Sequence, residues 1–106
     1  MNDRRDASSG ATDALDFDRL IHEPARLVLM ANLYVVDEAD FVFLARQTGL
    51  TAGNISSHMT RLESAGYVDI DKTFVGKRPR TNYKLTNAGR SAFERYRQHV
   101  AGLLAD

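Results

Sequence analysis

Between Asp40 and Gly66 the chain carries the start and stop signals of two short helices set a tight turn apart. Asp40 has the short carboxylate that accepts amide hydrogen bonds at a helix start, so it predicts a helix over Phe41–Thr48. Phe41, Leu44 and Ala45 share one face of that helix. Gly49 follows at the position where a left-handed residue closes a helix. Leu50 plugs the turn, and Thr51 caps a second predicted helix from Ala52 to about Ala65, ended by Gly66. Ile55, Met59 and Leu62 lie four and three residues apart and form one apolar stripe. Two short helices about a glycine turn make a helix-turn-helix unit.

The flanks complete the reading. Leu15, Phe17, Leu20 and Ile21 predict a helical turn or two, interrupted by His22-Glu23-Pro24, because proline favours the first position of a helix and disfavours helix just before it. A longer helix is predicted from Pro24 to about Tyr34, so apolar that it should be buried on most sides. Val35–Asp40 reads as a connection. After Gly66 the period changes: Val68 and Ile70 alternate with Tyr67, Asp69 and Asp71, the pattern of a half-buried strand. Gly76-Lys77-Arg78-Pro79 reads as a turn and Thr81–Leu85 as the returning strand. Thr86 or Asn87 caps a last helix to about Ala105. Its stripe Phe93, Tyr96, Val100, Leu103 has coiled-coil-like spacing.

The expected fold is therefore mainly α with a small β-hairpin, an α+β class. Residues 1–13 are too polar to bury themselves and read as a disordered tail; residues 14–106 read as one domain. With no cysteine, disulfides and thiolate metal sites are excluded. Neither a signal peptide nor a run long enough to span a membrane is seen, so the expected location is cytoplasmic.

Net charge is zero, yet its distribution is uneven. Residues 1–40 carry four Lys/Arg against nine Asp/Glu, and residues 41–106 carry ten against five. Such a chain can hold its basic half against phosphate while the acidic half faces elsewhere. With Ile55, Met59 and Leu62 turned inward, Asn54, Ser56, Ser57, Thr60 and Arg61 point outward or flank a groove. Short polar side chains let a helix sit deep in the DNA major groove and meet base edges or phosphates. An ordinary amphipathic helix with a solvated polar face would share this pattern. The hairpin separates the two readings, because Lys72, Lys77, Arg78, Arg80 and Lys84 fall within thirteen residues. A narrow basic tip can reach a phosphate backbone or a minor groove. Solubilising charge and protection of a strand edge are the alternatives.

The segments Leu50–Met59, Leu62–Val68, Phe74–Thr81 and Tyr83–Arg90 resemble those of small winged helix-turn-helix transcriptional regulators related to the MarR and ArsR groups. The resemblance runs from about Leu20 to Leu104. It implies double-stranded DNA as partner, with the recognition helix 52–65 in the major groove and the wing 72–84 on backbone or minor groove. Thr51, Asn54, Ser56, Ser57, His58, Thr60 and Arg61 take the first role by that resemblance, and Lys77, Arg78 and Arg80 the second. It also implies a homodimer through the terminal helices, here with Leu27, Tyr34, Phe93, Tyr96, Val100 and Leu103 at the contact. The resemblance implies repression as the mode of regulation.

No cofactor and no metal are expected. His22, His58 and His99 are far apart in sequence; His58 reads as DNA-facing or partly packed, and His22 and His99 could meet across a dimer. No phosphate loop, nucleophile elbow or metal motif is present, so an enzyme is not expected. A small-molecule effector would have to bind at the dimer interface or beside the helix-turn-helix. The competing function is a winged helix that serves as a protein–protein adaptor without DNA.

Overall fold

Glu23 and Pro24 start the first long helix as the sequence requires. The Glu23 carboxylate accepts the Arg26 amide at 2.8 Å, and Pro24 occupies a position whose N–H would have no partner. The computed structural model describes residues 16–105. In order they form α1 (Pro24–Val36), β1 (Glu38–Asp40), α2 (Phe41–Thr48), α3 (Ala52–Ser64), β2 (Val68–Val75), β3 (Arg78–Leu85) and α4 (Asn87–Leu104). The expected tail 1–13 lies outside the described residues.

The helical turn or two expected from Leu15 is a single turn on Asp18, whose carbonyl accepts from Ile21 and His22 at 3.1 and 2.8 Å; Leu15 itself lies outside the described residues. The chain departs from the sequence expectation in two places. The connection expected over Val35–Asp40 is instead the end of α1 followed by strand β1, which pairs antiparallel with β3 from Glu38↔Lys84 to Asp40↔Asn82. Only Ala39 of its three residues is buried, an alternation too short to announce a strand, so β1 exists through its pairing. Second, the hairpin is longer than the alternation suggests. β2 and β3 stay paired to Val75↔Arg78, leaving only Gly76 and Lys77 as the turn. Gly76 takes φ +65° and Lys77 does not go positive, as a type II′ hairpin turn demands. Pro79 falls next to the closing pair, at a site whose nitrogen has no ladder partner to lose.

The sheet order is β1-β3-β2. The core is drawn from every helix: Leu29, Met30 and Leu33 of α1, Leu44 of α2, and Ile55, Met59 and Leu62 of α3 are fully buried. Val68, Tyr83 and Leu85 close it from the sheet, and Ala92, Phe93 and Tyr96 from α4. The start of α4 is fixed by Thr86, whose hydroxyl accepts the Gly89 amide at 2.9 Å and donates to the Gly66 carbonyl at 2.6 Å. Gly89 then packs directly on the backbone. A Cβ there would overlap the Tyr67 carbonyl oxygen and come 2.9 Å from Leu85 Cδ1.

Candidate nucleic-acid interface

α3 is oriented by what it buries. Ile55, Met59 and Leu62 have no exposed surface, so the opposite side of the helix must face solvent. Thr51 caps it, its hydroxyl accepting the Asn54 amide at 3.2 Å. Thr51, Asn54, Ser56, Ser57, Thr60 and Arg61 are all exposed and form one polar ridge. Thr60 donates its hydroxyl hydrogen back to the Ser56 carbonyl at 2.9 Å, which leaves its oxygen to accept and its methyl to make contact. Gly53 has open space where a Cβ would stand, so packing does not explain its small size.

His58 differs from its neighbours. It is half-buried and turned sideways toward the start of α1, with Nδ1 3.1 Å from Arg26 Nη1 and 3.9 Å from Glu23 Oε1. The Arg26 amide hydrogen bond, with His58 and Arg26 nearby, holds the Glu23 carboxyl below the usual carboxylate range. This cluster ties α3 to α1.

The wing carries the basic residues on two distinct faces. Pairing places Lys72 opposite Thr81 and Phe74 opposite Pro79 on the face that continues from the core. Thr73 with Arg80 and Val75 with Arg78 lie on the other face, together with Asp69 and Asp71. Arg80 is partly committed: its guanidinium sits 3.3 Å from Asp40, the carboxylate that caps α2. Among the described residues Lys77 and Arg78 have no ion pair, and both are exposed. Phe74 and Val75, passed over in the sequence reading, are 71% and 57% exposed. Alternation alone hid them, since a strand residue beyond the core looks like one inside it.

The residues expected at a dimer contact gather between α1 and α4. Leu27, Tyr34, Phe93, Tyr96 and Val100 line an open cleft of about 670 Å³, and Leu103 lies further along α4, 43% exposed. Tyr34 anchors this cleft by donating to Glu94 at 2.9 Å, with the Arg90 and Arg97 guanidinium groups 5.0 and 5.5 Å from its ring centre. A smaller cleft of about 330 Å³ lies between the start of α1 and the helix-turn-helix, with Leu50, Asn54 and His58 in its wall. His22 and His99 come together within one chain, stacked on either side of Phe17 at 4.5 and 4.8 Å. On the same side of the molecule the Tyr67 hydroxyl donates to Asp18 at 2.6 Å, and burial with that hydrogen bond pushes the phenol up to about 12.

Comparison with known proteins places this geometry. Residues 25–104 match the family model described as a winged helix DNA-binding domain. An uncharacterised protein of Methanocaldococcus jannaschii is 33% identical over 78 residues, covering 74% of this chain and 85% of that protein. The structure of a transcriptional regulator homologue from Pyrococcus horikoshii superposes with a TM-score of 0.79 at 26% identity, over 89% of this chain and 92% of that one. The transcriptional repressor BigR of Xylella fastidiosa shares the fold, with a TM-score of 0.63 at 20% identity over 97% and 98% of the two chains.

Proposed function

Because the chain belongs to the winged helix DNA-binding family, we propose that it works as a homodimer on an inverted-repeat operator and represses transcription in the cytoplasm. α3 enters the major groove through Asn54, Ser56, Ser57, Thr60 and Arg61, while Lys77, Arg78 and Arg80 meet backbone or minor groove. One observation carries this reading: a helix with three fully buried residues presents an all-polar ridge beside a protruding basic hairpin. A folding requirement accounts for the buried stripe but not for the small polar residues opposite it. Those are the types that reach base edges.

The homodimer is supported by the cleft between α1 and α4 and by Leu103 and Leu104, which stand 43% and 80% exposed at the end of α4. Two copies reading an inverted repeat would hold their recognition helices about one DNA turn apart, about 34–36 Å. Repression is supported by the likeness to BigR.

Fluorescence-anisotropy titration of a random-sequence duplex across rising salt tests the proposal. The expected result is a log–log slope of several units, as for neutralising about six phosphates. Arg78→Ala should lower that slope by about one at every sequence. Arg61→Ala or Asn54→Ala should instead change which sequence is preferred. No binding at the lowest salt would leave the adaptor reading in its place.

A further inference from the structure

The outer half of the wing has an apolar surface that folding does not explain. Along one face of the hairpin the cross-strand pairs run Val68–Leu85, Ile70–Tyr83, Lys72–Thr81 and Phe74–Pro79. Val68, Tyr83 and Leu85 are buried, and beyond Lys72 and Thr81 the face turns apolar again with nothing among the described residues covering it. Phe74 stands 71% exposed beside Pro79. A hairpin edge that only needed to stay soluble would carry charge here.

Charge identifies the occupant. The Phe74 face holds Lys72 and no carboxylate, and Lys77 stands in the turn at its tip, while Arg78 projects from the other face. Asp69 and Asp71 point to the opposite face, where Arg80 is already paired with Asp40. The apolar patch is thus flanked by Lys72 and Lys77 on the one side of the wing free of acid. A second copy of the same tip would bring cation against cation. A DNA minor groove offers the complement: a narrow slot of negative potential whose walls are apolar deoxyribose. Phe and Pro are also among the residues that architectural proteins push between base steps.

We infer that Phe74, backed by Pro79, is an apolar wedge that enters the minor groove at the wing and opens a base step there. The inference rests on the DNA-binding reading of the wing and extends it from phosphate contact to DNA deformation. The wing then reads sequence indirectly, favouring pyrimidine–purine steps such as TA, which unstack most easily.

The experiment starts from duplexes enriched by the wild-type protein from a random-sequence pool. Affinity and bend angle, the latter by energy transfer between the duplex ends, are then compared for wild type, Phe74→Ala and Phe74→Leu. The wedge predicts that Phe74→Ala loses about tenfold in affinity and most of the bend, from the burial of one aromatic side chain. Its salt slope stays unchanged, because no phosphate contact is lost, and Phe74→Leu recovers most of both. Wild-type binding with Phe74→Ala equal in affinity and bend would overturn the wedge and leave the DNA reading standing. A change of oligomeric state in Phe74→Ala, measured without DNA by sedimentation, would assign the patch to a second copy instead. Failure of the wild type to enrich any duplex would overturn the underlying reading, and the wedge with it. Because Phe74 is mostly exposed, both variants should melt as the wild type does.

Discussion

The recognition helix and the wing both present polar surface, yet they are held in opposite ways. α3 sends Ile55, Met59 and Leu62 into the core with no exposed surface, and its outer residues follow by geometry. From Asp71 to Arg80 every residue of the hairpin is exposed, and what holds the tip is a ladder of backbone hydrogen bonds and a two-residue turn. One element is placed by what it buries, the other by pairing alone. Side chains on the inner face of α3 therefore answer to stability, whereas those at the wing tip are free of it and answer to whatever the tip touches.

The widest separation between the two regions should come from truncating the buried stripe. Leu62→Ala is expected to cost about 2–5 kcal/mol in urea unfolding, as buried leucines do. A cost below about 1 kcal/mol would mean that α3 is not pinned by the core, and the contrast with the wing would collapse.

Gly89→Ala should come next, at about 1–3 kcal/mol, since the added methyl meets the Tyr67 carbonyl, a backbone atom that cannot swing aside. The glycine stands on the α4 side of the junction between α3 and the sheet, so this variant asks whether the base of the wing is as tightly set as α3. A neutral effect would show that the junction gives.

Much of this division was legible in the sequence, and the reason is local. Asp40, Thr51 and Thr86 cap helices with their own side chains, and Gly49 and Gly76 take positive φ, so each boundary is written in the residue that makes it. β1 was not legible because a three-residue strand is made by its partner: nothing in Glu38-Ala39-Asp40 announces β3. The polar ridge of α3 could be read from spacing alone. The two-faced wing could not, because which residues share a face with the core depends on the register Val68↔Leu85, and that is fixed only in three dimensions. Likewise Arg80 reads as a free basic residue until Asp40 is seen beside it, and of the two readings open for His58, DNA-facing or partly packed, only the contact with Arg26 shows the second.

Raising the pH probes the junction without mutation. The Tyr67 phenol keeps its proton up to about pH 12 in the folded protein but loses it near 10 when unfolded. Its contribution is whole below pH 10 and is lost as pH rises toward 12. With the ring half-buried and partly screened, about 1 kcal/mol should disappear over that window. Tyr67→Phe should make the alkaline fall in the urea midpoint shallower; an unchanged fall would remove Tyr67 from the account. Thr51→Ala should cost a similar amount, about 1 kcal/mol, by freeing the Asn54 amide at the start of α3.

The smallest stability effects belong to the wing, and there the comparison is sharpest when stability and binding are measured together. Lys77 is exposed in the turn and, among the described residues, has no ion pair, so Lys77→Ala should change stability by no more than about 0.5 kcal/mol. Arg80 is tied to Asp40 at 3.3 Å but remains half exposed, and such surface pairs contribute about 0.2–1 kcal/mol. Arg80→Ala should thus cost slightly more than Lys77→Ala. It should stop there, because Asp40 keeps its hydrogen bond from the Phe43 amide and goes on capping α2. On DNA the order should reverse. Lys77 is free to neutralise a phosphate, and its loss should lower the salt slope by about one. Arg80 shares its charge with Asp40 and should lower it by less. If Arg80→Ala takes the larger bite out of the slope, Asp40 orients that guanidinium toward DNA instead of holding it back, and the acid-bearing face of the wing is the one that meets the duplex.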